Sequence, residues 1–177
     1  ATSLADADAL IAACKQADRQ LAPDDAFFQG VISWLRGMTQ YFAQGSAAAG
    51  RAFSETFRLG QQSGSPFMAL LSIFTAGYMD LVQGRLHRAR ERFEDGLRLA
   101  EREAQHPISE RAAPLQRDAA PPIGTSLVYQ GLGEIAREQN DLQEAERCLA
   151  RCVELAERWG HAEPLAVSPL EGLRPQH

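Results

Sequence analysis

VQGRLHRARERFEDGLRLAERE, residues 82–103, and EQNDLQEAERCLARCVELAERW, residues 138–159, are the two stretches whose comparison decides the fold. Laid one over the other, they place Leu86, Ala89, Phe93, Gly96, Leu97 and Ala100 on Leu142, Ala145, Leu149, Cys152, Val153 and Ala156. Both sets share the 3,4,3,1,3 spacing of a single apolar stripe on an α-helix. The residues before each set agree in the same alignment: Gly77 falls on Gly133, and the turn Gly84-Arg85 on Asn140-Asp141. A further copy stands upstream, with Ala49, Phe53 and Phe57 in the places of Ala89, Phe93 and Leu97. The last two copies are further apart than the first two, and the surplus coincides with a stretch from Gln105 to Ile123 that holds four of the nine prolines. That stretch reads as an insertion into a regular array. Having few large apolar residues, it is expected to be loosely packed.

Outward from these copies, the same periodicity divides the chain into seven expected helices. The first, about Ser3 to Leu21, places Leu10, Ile11, Cys14, Ala17 and Leu21 on one face. The second follows Asp24 as N-cap and runs to Gln44, and the third covers about Ala47 to Ser63. Ser65-Pro66 reads as N-cap and first helical residue of the fourth, which ends near Gly84. The remaining three are about Leu86 to Ala104, Ser126 to Gln139 and Leu142 to Trp159. Repeated helix pairs of roughly 34–40 residues predict an all-α solenoid, in which each pair covers the apolar face of its neighbour. The expected architecture is a tetratricopeptide-like α-α superhelix of three to four helix pairs. Tyr129, Leu132, Gly133, the Asn140 turn, Ala145 and Leu149 match that repeat in the last copy. Trp34, Tyr41 and Gly45 match it in the first, where Arg36-Gly37-Met38 fits poorly and leaves the register open by one position. Residues 1–166 form the expected repeat domain, and the tail 167–177, VSPLEGLRPQH, does not continue it and is expected to be disordered.

Composition agrees and excludes several functions. A chain of 177 residues, 45% apolar, suits one globular domain. Ala occurs 29 times and Leu 20, against 16 for Val, Ile and Thr together, so helix formers dominate. The longest uncharged apolar stretch runs only from Pro66 to Met79. A membrane-crossing helix needs ~18–20 residues, more than that stretch supplies, so no membrane role is expected. A net charge of −5 argues against direct nucleic-acid binding by this segment. Three cysteines, Cys14, Cys148 and Cys152, with no signal peptide pattern, predict a reducing, cytoplasmic location.

The wording of the repeats points to a family. IAREQNDLQEAERCLARCVELAERWG (Ile135 to Gly160), the stretch Val82 to Glu103 quoted above, and LAPDDAFFQG (Leu21 to Gly30) resemble the helical repeats of MalT-like, ATP-dependent LuxR-type transcriptional regulators. The resemblance covers about Ala22 to Trp159. It implies a sensor segment that lies between a P-loop ATPase and a helix-turn-helix DNA reader and that binds an inducer, a sugar in the best-known member. This chain contains no G-x-x-x-x-G-K-[ST] and no LuxR helix-turn-helix. ATP is therefore expected only in a separate domain, with no cofactor and no catalysis in this chain. The implied partners are a small-molecule inducer or a protein segment, together with other domains of the same regulator. The rival reading is a protein–protein interaction scaffold without an inducer.

The resemblance also implies where binding occurs. In tetratricopeptide-like solenoids the first helix of each pair lines an inner groove. The matching positions are Leu71, Phe74, Tyr78 and Leu81 in the middle copy and Leu127, Gln130, Glu134 and Arg137 in the last. Phe74, Tyr78, Gln130, Glu134 and Arg137 are thus the candidate binding residues, an aromatic wall beside a polar cluster. The alternative for Phe74 and Tyr78 is packing against a neighbouring helix. Other constellations carry less. Cys148 and Cys152 stand at i and i+4 but lack further metal ligands at suitable spacing, and read as a packed thiol beside a partly exposed one. Glu134 and Glu138 share a solvated face. Six arginines from Arg85 to Arg102 face five acids from Glu91 to Glu103, which reads as a salt-bridged surface.

Overall fold

The computed structural model describes residues 25–105 and 121–158, together with the single helical position Gln16. The expected first helix, residues 106–120 of the Pro-rich stretch and the tail lie outside the described residues. Among the described residues all regular structure is helical: α1 (Ala26–Gln44), α2 (Ser46–Gln62), α3 (Pro66–Val82), α4 (Leu86–Gln105), α5 (Thr125–Glu138) and α6 (Leu142–Arg158).

Local chemistry sets most of these ends. Asp25, not Asp24, caps α1: it is the last residue before the helix, and its Oδ1 accepts the Phe28 N–H at 3.3 Å. Ser65 caps α3 as expected, its Oγ accepting the Met68 N–H at 3.4 Å, with Pro66 at the first helical position. Three helices stop in the same way. Gly64, Gly84 and Asn140 adopt φ of 64°, 71° and 59°. The N–H groups of Ser65, Arg85 and Asp141 then reach back to the carbonyls of Gly60, Asp80 and Ala136 at 2.9, 2.8 and 2.8 Å. This left-handed closure satisfies carbonyls that the helix end would leave bare.

The helices pack as three consecutive pairs, α1–α2, α3–α4 and α5–α6, and α3 also contacts α2 and α5. One contact recurs in every pair. A Cβ built on Gly37 would stand 2.5 Å from the Phe53 ring, one on Gly77 2.6 Å from the Phe93 ring, and one on Gly133 2.9 Å from Leu149. Each glycine precedes its large partner by the same interval, so the bare backbone of each first helix receives a side chain of the second. Gly37 thereby puts the first copy in register with the others. Ala49, Ala89 and Ala145, at one equivalent position, are all buried.

The core centres on Phe93, which is fully buried. Its ring touches the backbone of α3 at Gly77 and of α5 at Gly131, where a Cβ would stand 2.3 Å away. Phe93 therefore joins two pairs as well as the two helices of its own. Trp34 adds a polar link between pairs, its Nε1–H donating to Thr75 Oγ1 at 3.0 Å. No helix among the described residues is long and apolar enough to cross a membrane.

Candidate functional site

The residues expected to wall the inner groove are not presented together. Phe74 and Tyr78 are 4% and 5% exposed and belong to the core. Their ring centroids lie 5.9 Å apart, and Phe74 is 6.2 Å from Phe93. The physical reason is Gly131: without a side chain there, α5 approaches Phe93 closely and the aromatic faces are used for packing. Of the two readings of Phe74 and Tyr78, packing against a neighbouring helix is the one observed. Gln130 is buried as well, and among the described residues its Oε1 has no hydrogen-bond partner. Glu134 and Arg137 do come together, with the exposed guanidinium 3.1 Å from the half-buried carboxylate. That pair is one turn of a single helix, and it leaves the aromatic wall out.

An open cavity of about 950 Å³ lies elsewhere, between α2 and α4 with α3 beneath. Its floor is apolar: Phe53 and Phe57 from α2, Ile73, Ala76 and Met79 from α3, and Leu99 from α4. Arg88, Arg92, Asp95, Leu99 and Arg102 follow one another at steps of three and four along α4, so they form a single stripe facing the cleft. The stripe beside it, Ala89, Phe93, Gly96 and Ala100, faces the core and is buried. The same helical period that builds the core thus sets arginines along the cleft wall.

Asp80 anchors this wall. It is the sole charged residue of α3 and is 3% exposed. Its Oδ1 accepts from Arg85 Nε at 2.6 Å and its Oδ2 from Arg92 Nε at 2.7 Å. Burial pushes the carboxyl up, but the hydrogen bonds from Arg92 and Arg85 outweigh it and hold Asp80 below the ordinary aspartate value. The reading of Arg85 to Arg102 as a salt-bridged surface counted neighbouring acids only. Arg98 does pair locally, with Asp95 at 2.7 Å, but Arg85 and Arg92 converge on a residue of the preceding helix. Arg88 and Arg102 make no ion pair among the described residues. Asp80 was missed, although a signal existed: it is a lone charge in an otherwise apolar stretch, at a place where the other copies carry Gln40 and Ala136.

The two cysteines of α6 are both buried, so neither is the partly exposed thiol expected. Burial, reinforced by a 3.5 Å contact with Glu144 Oε1, pushes the Cys148 thiol up to about 11. Burial raises Cys152 too. Both remain protonated at neutral pH and are poor nucleophiles. No group of three metal-ligating side chains forms among the described residues.

No curated protein and no solved structure matches the chain. The model of one family does, over residues 1–171, and that family is described as the MalT-like TPR region. Its extent and the helix pairs repeated through the described residues agree: this chain belongs to the MalT-like TPR region family.

Proposed function

We propose that this regulatory helical-repeat domain is the non-catalytic sensing segment of a LuxR-type transcriptional regulator, acting in the cytoplasm, and that the α2–α3–α4 cleft receives its inducer. The carrying observation is the position of the cleft. One wall belongs to the first helix pair, and the floor and other wall belong to the second. An occupant would therefore touch two stacked units at once, and would favour one arrangement of them by its difference in affinity for the alternative arrangements. ATP hydrolysis and DNA reading belong, on this proposal, to other domains of the regulator, which would respond to the change in stacking. Glu134 and Arg137 remain accessible for contact with such a domain.

The test is a thermal-shift screen of small metabolites on the chain and on Ala76→Phe, which would fill the cleft floor. A compound that raises the Tm of the parent chain and not of Ala76→Phe supports the proposal. Equal stabilisation of both places the inducer outside the cleft. If no small molecule binds while a neighbouring domain of the regulator does, the chain is an interaction scaffold.

A further inference from the structure

The repeat exposes an anomaly in the charge of the cleft. In the alignment of the last two copies, Arg85 and Arg88 stand where the final pair has Asp141 and Glu144. Those acids are what a helix start favours. Asp141 Oδ1 accepts the Glu144 N–H at 3.1 Å, and both carboxylates lie at the positive end of the helix dipole. At its corresponding end α4 has no acidic residue in the first turn. Cations there oppose the dipole, so helix stability does not account for them. Both line the cleft instead. Arg85 is engaged by Asp80, whereas Arg88 is exposed and makes no ion pair among the described residues.

Arg88 lies one helical turn from Arg92, so two guanidinium groups border the same end of the cleft. Over the whole lining five arginines face three carboxylates, an excess of two positive charges in a chain whose net charge is −5. Beside them Phe57 and Ile73 are half-buried and present apolar surface to the cavity. The volume, about 950 Å³, falls in the range that houses small ligands. Arg88 and Arg102 are separated by about 21 Å along the helix, too far for one compact anion to reach both.

We infer that the cleft takes a small organic anion, with its carboxylate, phosphate or sulfonate against Arg88 and Arg92 and its apolar body on Phe57 and Ile73. This rests on the reading of the cleft as the inducer site and adds the chemical class. A guanidinium already held by Asp80 through Nε, as Arg92 is, stays oriented and needs little further ordering to receive an anion.

The experiment is a fluorescence titration of the chain with anilinonaphthalenesulfonate and, separately, with phenylnaphthylamine, which has the same aromatic body and no charge. Expected is saturable binding of one sulfonate per chain, at least about tenfold tighter than the neutral probe. Arg88→Glu should remove that preference, weakening the sulfonate by about tenfold or more and leaving the neutral probe unchanged. Because Glu restores the acid that the last pair carries at this place, its Tm should stay level or rise, which separates lost binding from lost folding. Carboxylate and phosphate competitors of similar shape then distinguish the natural head group. Equal affinity for the two probes, or a sulfonate titration unchanged by Arg88→Glu, overturns the inference. So does binding of a fluorescently labelled oligoglutamate peptide where the sulfonate fails to bind, which would make the site one for acidic chains. If the inference fails but an uncharged compound still stabilises the parent and not Ala76→Phe, the inducer site stands and only its charge class was wrong.

Discussion

Asp80 shows how one residue can organise a surface. A buried carboxylate is costly unless its charge is met, and here two guanidinium groups, Arg85 just before the next helix and Arg92 within it, meet it while remaining partly solvated. The resulting dependence on pH has a definite sign. The folded-state value is depressed, so the pair stabilises the fold above the unfolded aspartate pKa of about 3.9 and that contribution is lost as pH falls through the lower folded value. Chemical denaturation from neutral pH downward should show the parent chain losing stability in this acid range. Asp80→Asn, which keeps the shape and removes the charge, should cost about 1–3 kcal/mol at neutral pH and should flatten that part of the profile. An identical acid profile for the variant would mean that Asp80 is not the group responsible. Exposed pairs such as Arg58–Glu55 should matter far less, because water screens them.

At the scale of the element, the helices are specified more by their ends than by their interiors. Three turns of one design close α2, α3 and α5, each with a single residue in the left-handed region. Gly84 is the cleanest of them, since a Cβ there would meet nothing within 4 Å. Gly84→Ala therefore changes backbone strain and little else, and should cost about 1–2 kcal/mol by urea denaturation. A loss near zero would show that the α3–α4 turn relaxes into another geometry. At the equivalent place Asn140 holds φ of 59° with a side chain, and asparagine is the residue that tolerates this best after glycine. The same logic explains why α4 reads as a poorly started helix: its first turn carries arginine where α6 carries glutamate. An element that departs from its own repeat is answering to something outside itself, in this case the cleft.

At the scale of the molecule, coupling between the last two pairs runs through Phe93. Its ring fills space that Gly77 and Gly131 leave on two different pairs, so a methyl group at Gly131 would force α5 away from α4. Gly131→Ala should destabilise by about 1–3 kcal/mol, as overpacking of a filled core does. It should also raise amide hydrogen exchange in α5 and α6 more than in α1, because the last pair would be the one released. A uniform effect on all helices would indicate a single cooperative unit rather than stacked pairs.

Much of this was readable from the amino acids alone. The match between the copies depends on side-chain size at fixed intervals, and a helix of constant pitch converts those intervals directly into a face. The all-α class, the paired repeat, the Ser65 cap and the Gly84 and Asn140 turns all follow from local rules of that kind. What local rules cannot say is how near the next helix comes. Phe74 and Tyr78 have the spacing of groove residues, yet the missing side chain at Gly131, far along the chain from either, lets α5 close on Phe93 and keeps both rings in the core. Asp80 is likewise unremarked within α3 until folding brings Arg85 and Arg92 to it. Periodicity determines which stripe of each helix is apolar; only the distances between helices, set by side chains that are absent as much as by those present, decided which of those stripes were filled and which left open as a cleft.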